Sequence, residues 1–485
     1  MKKLSSVLFQ IVMSQTPFEL YLKEGNLDSK PHQTTAVNWC LDKESKGTEC
    51  DDKSIYGGLI ADEMGLGKTI QMVGTMVSNP LPKTLIVLPR VLIEQWIKFL
   101  EKTTNLKLYL YHGSKRELSN EEIQKYQIVI TTYGLVANKT SRLHQISWDR
   151  IVFDEAHHMR NSKTKIFKGA ITLKGSIRWL MTGTPIQNTK KDFYSLCEQM
   201  SIPKSFYTKP ENLKYIAKNL ILKRTKAEAN IKLPPIKYHT ASIAWENQAE
   251  QELAEEIHSQ LAFSNIDANK TRFKMGSSFG EFKLPLLVRA RQACIYPPLL
   301  KDKIKMMIRT NMIDCRNNKE LEKMLLEATD YSSKITNVAN KIIENKDNDK
   351  RKLVFCHYRG EIDILQEQLE KIDMNVEIFD GRTNSSEREK ILQDKDIDVL
   401  ILQIQTGCEG LNLQHFNEIY FVSPHWNPAV EDQAIARAHR IGQEKETHIY
   451  RFKMGDFDER GTTHTLDQYS QEVQKSKRHL LKLIE

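Results

Sequence analysis

Gly58-Leu-Ile-Ala-Asp-Glu-Met-Gly-Leu-Gly-Lys-Thr-Ile70 joins a short apolar run to a glycine-bearing turn and then to a helical pattern that continues to Val77. Strand, tight turn and helix in that order place backbone N–H groups and the positive end of a helix around one point. That arrangement suits a bound phosphate. Gly65 and Gly67 let the backbone approach closely, Lys68 can reach the β- and γ-phosphates, and the Thr69 hydroxyl can ligate Mg²⁺. One position departs from the general phosphate-loop pattern: Asp62 stands where the first glycine is usual. Taken alone, the stretch reads equally as a short glycine turn.

Working outward, apolar runs rich in β-branched residues recur at Thr84–Leu88, Ile128–Thr132, Ile151–Asp154 and Trp179–Thr182, with helical patterns such as Val91–Glu101 between them. A second series follows at Leu353–His357, Val376–Phe379, Val399–Leu402, Ile419–Val422 and His448–Phe452. Ile362–Ile372 and Ala429–Arg440 supply its helices. Alternation of this kind predicts an α/β chain with two parallel-sheet lobes covered by helices. Between them, from Lys226 to Ser332, the strand signal vanishes and Glu246–Leu261 and Asn318–Ala328 carry helical periodicity, which reads as a helical insertion or linker. The expected divisions are a leader at 1–28, lobe 1 at 29–225, the insertion at 226–332, lobe 2 at 333–455, and a C-terminal helix at 456–485 packed across a lobe.

The chain has 485 residues, 40% hydrophobic and 27% charged, so it can bury sizeable cores. No apolar run is long enough for a membrane span. The leader's apolar stretch is interrupted by Gln10 and lacks a small-residue cleavage site, so it is not read as a secretory signal. The seven cysteines show no C-x-x-C pair, which speaks against structural zinc or a disulfide framework and for a reducing compartment. A net charge of +9 suits a polyanionic partner, and a solvated lysine-rich surface would account for it equally well.

Two further stretches carry chemistry. Ile151-Val-Phe-Asp-Glu-Ala-His157 ends an apolar strand in adjacent carboxylates. Asp154 can hold the cation bound by Thr69 and Glu155 can polarise water; read alone, both can equally cap a following helix. His157 and His158 lack a ligand set that would make them a metal site. In Asp432-Gln-Ala-Ile-Ala-Arg-Ala-His-Arg440, helical spacing puts Gln433, Arg437 and Arg440 on one face. Two arginines there are surface charges or fingers for a transferring phosphoryl group.

In this order, these elements resemble the SWI/SNF-type branch of superfamily-two helicases, from about Ser29 to about Arg451. Lys30-Pro-His-Gln33 is similar to that family's adenine-reading element, with Gln33 as the base contact. Leu85-Ile-Val-Leu-Pro-Arg90 with Gln95-Trp96, and Ile130-Thr-Thr-Tyr-Gly134, resemble its DNA-tracking motifs. Leu180-Met-Thr-Gly-Thr184 resembles its coupling element, and Leu222-Lys-Arg-Thr-Lys226 with Leu233-Pro-Pro235 its inter-lobe segment. Phe379-Asp-Gly-Arg-Thr383, Gln403-Ile-Gln-Thr-Gly-Cys-Glu-Gly410 and Pro424-His-Trp-Asn-Pro428 extend the likeness through the second lobe.

The resemblance implies RecA-like lobes and a DNA-dependent ATPase using ATP and Mg²⁺. By the same resemblance Lys68, Glu155, Arg437 and Arg440 are catalytic. Nucleotide is bound by Gln33, Asp62, Glu63, Met64, Gly65, Leu66, Gly67, Lys68, Thr69 and Gln433, and metal by Thr69 and Asp154. His157, Thr182, Gly183, Thr184, Gly407, Glu409 and Gly410 couple hydrolysis to movement, and Pro89, Arg90, Thr132, Arg382 and Thr383 touch DNA. The implied partner is double-stranded DNA held through its phosphates, with nucleosomes or transcription machinery beyond it, in a nuclear or viral replication compartment. A strand-separating helicase and a catalytically silent scaffold are the competing readings; the intact site residues weigh against the second. The wording is closest to members carrying an inserted RING finger, which is not visible here, and Cys408 stands where a small residue is common.

Overall fold

The computed structural model describes residues 15–113, 119–123, 125–185, 190–259, 261, 283–300, 331–394, 396–407, 411–457 and 464–481. The chain divides into two compact units between Lys232 and Leu233.

In the first unit a small antiparallel hairpin, β1 (Thr48–Cys50) and β2 (Lys53–Ile55), stands apart from the main sheet. The sheet contains β3 (Gly57–Ile60), β4 (Thr84–Leu88), β5 (Leu108–Leu110), β6 (Ile128–Thr132), β7 (Ser147–Asp154), β8 (Lys174–Met181) and β9 (Ile221–Leu222). Its order is β5-β6-β4-β7-β8-β3-β9 and every pairing is parallel. All residues of β3, β4 and β6 are buried, so these strands read as unbroken apolar runs rather than as alternation. The register pairs Leu88 with Thr132, Asp154 with Met181, and Ile60 with both Met181 and Leu222, so the carboxyl ends finish nearly level. The helix Pro17–Glu24, opened by a Thr16–Glu19 capping box, seats Phe18, Tyr21 and Leu22 in the core beside Met72 and Val73 of the helix Lys68–Ser78.

A buried charge network closes the opposite edge of this sheet. Arg150, near the start of β7, donates through Nε and Nη2 to the Glu44 carboxylate at 2.6 and 2.5 Å. Trp179 Nε1 and Asn79 Nδ2 donate to the same carboxylate at 2.8 and 2.7 Å. Glu44 lies in the last turn of the helix Pro31–Ser45, and Asn79 follows the helix Lys68–Ser78, so one ion pair ties two helix ends to the sheet.

The second unit has β10 (Ile236–Ile243), β11 (Lys352–Cys356), β12 (Val376–Phe379), β13 (Val399–Gln403), β14 (Glu418–Phe421) and β15 (Thr447–Met454). They form an all-parallel sheet in the order β10-β15-β14-β11-β13-β12. Alternate residues of β11 enter different cores: Val354 on one face, Leu353 and Phe355 on the other. The helix Leu466–Leu481 packs on this unit, burying Tyr469 and Val473.

β10 corrects the sequence reading, which placed no strand between Lys226 and Ser332. It is an edge strand with six consecutive exposed residues, Lys237 to Ser242, so Ile236-Lys-Tyr-His-Thr-Ala-Ser-Ile243 lacks the apolar signature of the interior strands. Its place is fixed by eight residues of register with β15. The helices Gln248–Ser259 and Lys283–Ile295 also belong to this unit's core, through Leu253, Ile257, Leu286 and Ala290. The helical reading at Asn318–Ala328 lies outside the described residues. No helix among the described residues is long and apolar enough to cross a membrane.

Arg150→Met should destabilise the first unit by about 3–5 kcal/mol, because it strands the Glu44 carboxylate in the core. Hydrogen exchange of the β7 and β8 amides in urea measures this, and Glu44→Met/Arg150→Met should lose less than Arg150→Met alone.

Candidate nucleotide-binding site

In the first unit the sequence-derived residues fall at the carboxyl edge of one sheet. Thr132 ends β6, Pro89 and Arg90 follow β4, and Asp154 ends β7. Thr182 follows β8, and the loop from Asp62 to Gly67 follows β3. Neighbouring strands lie about 4.8 Å apart, so residues separated by up to 122 positions, Asp62 and Thr184 among them, share one rim.

The loop is closely specified. Gly65 and Gly67 have φ of +93° and +80°, in the left-handed region that glycine enters without cost. A Cβ at Gly67 would also stand 2.4 Å from Gln33 Nε2. Lys68 opens the helix, and its Nζ donates to Asp62 O at 2.8 Å. Gln33 Nε2 donates to Leu66 O at 3.3 Å, while its buried Oε1 has no hydrogen-bond partner. That orphaned acceptor beside the loop fits a ligand amino group such as adenine's. The Asp62 side chain does not face a phosphate: its carboxylate is fully buried and taken by Arg224 and Gln71. Glu63 likewise accepts from Lys226 N at 2.8 Å.

Asp154 is buried at the end of β7. Trp96 Nε1 donates to its Oδ2 at 2.8 Å and the Glu155 amide to its Oδ1 at 2.9 Å. Burial first, and the charge of Glu155 second, push its pKa from 3.8 to about 7. A buried carboxylate with a second carboxylate beside it is suited to a cation, and the oxygen chemistry of Asp154 and the Thr69 hydroxyl suits Mg²⁺, which takes few protein ligands beside phosphate oxygens and waters. Glu155 adopts φ +50°, ψ +50°, a left-handed backbone unusual for a residue with a side chain. His157 Nδ1 lies 3.3 Å from both Glu155 Oε2 and Thr182 Oγ1, and Thr182 Oγ1 accepts from Thr184 N at 3.2 Å. A Cβ on Gly183 would meet Met64 Cγ at 2.8 Å and Lys68 Nζ at 3.5 Å, so the loop after β8 packs directly on the phosphate loop. Trp96, Gln71 and Arg224 were not assigned to the nucleotide from sequence. Trp96 and Arg224 reach partners 58 and 162 positions away, which carry no local signal, and Gln71 turns back nine positions to the Asp62 carboxylate. Among the described residues no group of three or more His, Cys, Asp and Glu side chains is placed to hold a metal.

In the second unit Arg382 and Thr383 follow β12, and Gly407 ends the short helix Ile404–Gly407 after β13. Arg382 is bound by Asp363 and Asp380 at 2.7 and 2.8 Å, and Thr383 Oγ1 accepts from Asp380 N. Glu409 and Gly410 lie outside the described residues. The arginine stretch requires a correction. The helix is Pro428–Ala438, with Asn427 as its N-cap, so Gln433 and Arg437 are helical and Arg440 is not. Gly442 turns the chain at φ +98°, and Gln443 Nε2 donates to the carbonyls of Ala438, Gln414 and Phe416. The helix therefore stops before the spacing of four and three is complete. Arg440's pKa is lowered, by burial first and then by Arg437. Gln433 Nε2 is buried without a hydrogen-bond partner.

A family model described as SNF2-related domain matches residues 32–299, and one described as helicase conserved C-terminal domain matches 333–442. The chain belongs to the SNF2-related family. Among curated relatives of this SNF2-related chain, the "Probable global transactivator" of Orgyia pseudotsugata multicapsid polyhedrosis virus is 27% identical over 87% of this chain and 85% of that protein. The DNA excision repair protein ERCC-6-like of Danio rerio is 26% identical over 81% of this chain, which spans 33% of it. A solved Sulfolobus solfataricus SWI2/SNF2 ATPase core in complex with dsDNA aligns with 94% of this chain and 92% of its own, at 23% identity and a TM-score of 0.40.

The folded Asp154 carboxyl keeps its proton up to about pH 7, whereas an unfolded one releases it near pH 3.8. The contribution of Asp154 to the stability of the ligand-free protein is therefore lost as pH rises from about 4 to about 7. Urea unfolding of wild type and Asp154→Asn across that window should show it as a pH-dependent difference between the two that shrinks toward pH 7.

Proposed function

We propose that this SNF2-related chain is a DNA-dependent ATPase that couples ATP hydrolysis to translocation along double-stranded DNA. The observation that carries the reading is the shared rim of the first sheet: glycine loop, Lys68, Thr69, buried Asp154, Glu155 and Thr182. In this proposal the loop amides and Lys68 bind the ATP phosphates, and Gln33 reads the adenine edge with its free Oε1. Mg²⁺, when held by Thr69 and Asp154, would neutralise phosphate charge. Glu155 orients the attacking water, with His157 holding its carboxylate and relaying its position to Thr182. Arg437 and Arg440 of the second unit neutralise the charge that develops on the transferring phosphoryl group. Gln433 lies one helical turn before Arg437 and is proposed to serve nucleotide binding.

Pro89, Arg90 and Thr132 on one unit, with Arg382 and Thr383 on the other, are proposed to hold the DNA backbone. Binding through phosphates is largely sequence-independent and weakens steeply with salt. Remodelling of protein–DNA complexes, in a nucleus or a viral replication compartment, is the setting proposed from relatives that include a DNA repair protein and a viral transactivator.

Duplex DNA should stimulate ATP turnover, with the stimulation falling as salt rises. Lys68→Ala and Glu155→Gln should abolish turnover, and Arg437→Ala or Arg440→Ala should cut kcat by about 10³-fold or more. Steady-state phosphate release checks all of these. Turnover indifferent to duplex DNA overturns the reading, and efficient unwinding of a blunt duplex favours a strand-separating helicase instead.

A further inference from the structure

The stretch Leu222-Lys-Arg-Thr-Lys226 has no chemical role in the cycle above, yet it forms the outer wall of the phosphate loop. Pairing between β3 and β9 continues past both strands: Ala61 N donates to Leu222 O at 2.7 Å and Glu63 N to Arg224 O at 2.9 Å. Lys226 returns the contact, its amide donating to Glu63 Oε2 at 2.8 Å and its ammonium lying 3.2 Å from Glu63 Oε1. The Arg224 side chain grips the same loop. Nε and Nη2 donate to the two Asp62 carboxylate oxygens at 3.1 and 2.5 Å, and Nη1 donates to His32 O at 2.6 Å.

We infer that Arg224 is a positioning residue of the nucleotide site, acting through Asp62 to set the phosphate loop and through His32 to set the adenine-side helix. Asp62 occupies the position where the general loop pattern has glycine. Its carboxylate is fully buried, and the guanidinium fork with Gln71 Nε2 at 2.9 Å satisfies it. The same residue's carbonyl accepts from Lys68 Nζ at 2.8 Å. Fixing Asp62 therefore fixes the point from which Lys68 is aimed. The far side of the loop is held at Leu66 O, which lies 3.0 Å from His32 Nε2 and accepts from Gln33 Nε2 and Gln71 Nε2 at 3.3 and 3.2 Å. His32 carries one end of this arrangement and receives Arg224 at its carbonyl, so one guanidinium connects both ends of the loop. A lysine could supply the charge but not the planar fork that serves two carboxylate oxygens and a carbonyl together.

The inference rests on the nucleotide-site reading, and its test separates the two. The affinity of the full chain for a fluorescent ATP analogue is measured beside thermal stability and duplex-DNA affinity, for Arg224→Gln, Arg224→Lys and Asp62→Asn/Arg224→Gln. Arg224→Gln should weaken nucleotide binding by about tenfold or more and lower the melting temperature, since it strands a buried carboxylate. The double variant removes that charge and should recover stability without recovering nucleotide affinity. Arg224→Lys should behave similarly, and DNA affinity without nucleotide should not change. If Arg224→Lys or the double variant binds the analogue as tightly as wild type, Arg224 is merely structural and the inference is overturned. If the wild-type chain binds no analogue, or Lys68→Ala binds it equally well, the nucleotide-site reading itself fails and takes this inference with it.

Discussion

Parallel strand direction is the constraint on which the rest of this structure depends. In each unit every pairing in the main sheet is parallel, so every carboxyl end faces the same rim and every return connection crosses a face as helix or loop. A parallel sheet buries both faces of its interior strands, which makes those strands apolar and leaves the rim as the place where polar groups can gather. The first unit uses its rims differently. Arg150, Glu44, Asn79 and the Trp179 indole lock one side with satisfied charge, while Asp154, Glu155, His157 and Lys68 stand at the other. The locked side holds both helices that carry Gln33 and Lys68, the residues proposed to bind nucleotide.

Two of the carboxyl groups buried in this unit, Glu44 and Asp154, show how pairing, more than burial, decides what a charge does. Glu44 accepts from a guanidinium fork, an indole and an amide, and serves as a structural anchor. Asp154 receives an indole and one backbone amide and sits beside a second carboxylate, so burial raises its pKa. The first is satisfied by the fold; the second is left demanding a cation.

Much of this was legible in the sequence because interior strands and glycine loops are written locally. The runs at Thr84–Leu88 and Ile128–Thr132 are five-residue apolar or β-branched segments, and the chain folds them as read; the run read at Val399–Leu402 extends one residue further, to Gln403. The edge strand β10 escaped because an exposed strand has no hydrophobic pattern to show, and its pairing with β15 joins residues more than 200 positions apart. Arg440 was placed on a helix by spacing alone, and the stop came from Gly442 and from Gln443 reaching back to the Ala438 carbonyl. Arg224 and Trp96 were hidden differently. Each is an ordinary residue type whose meaning lies in a partner that only the fold brings near.

Glu155 holds a backbone shape that L-residues avoid, with φ +50° and ψ +50°. Such a conformation costs roughly 1 kcal/mol for a residue with a Cβ and almost nothing for glycine or asparagine. Position 155 is therefore a place where durability and chemistry pull apart. Selection for a hardier fold alone would drift toward residues that relax the turn, and each of those discards the carboxylate. A glutamate there is what the proposed chemistry requires, at the expense of a turn that glycine or asparagine would relax.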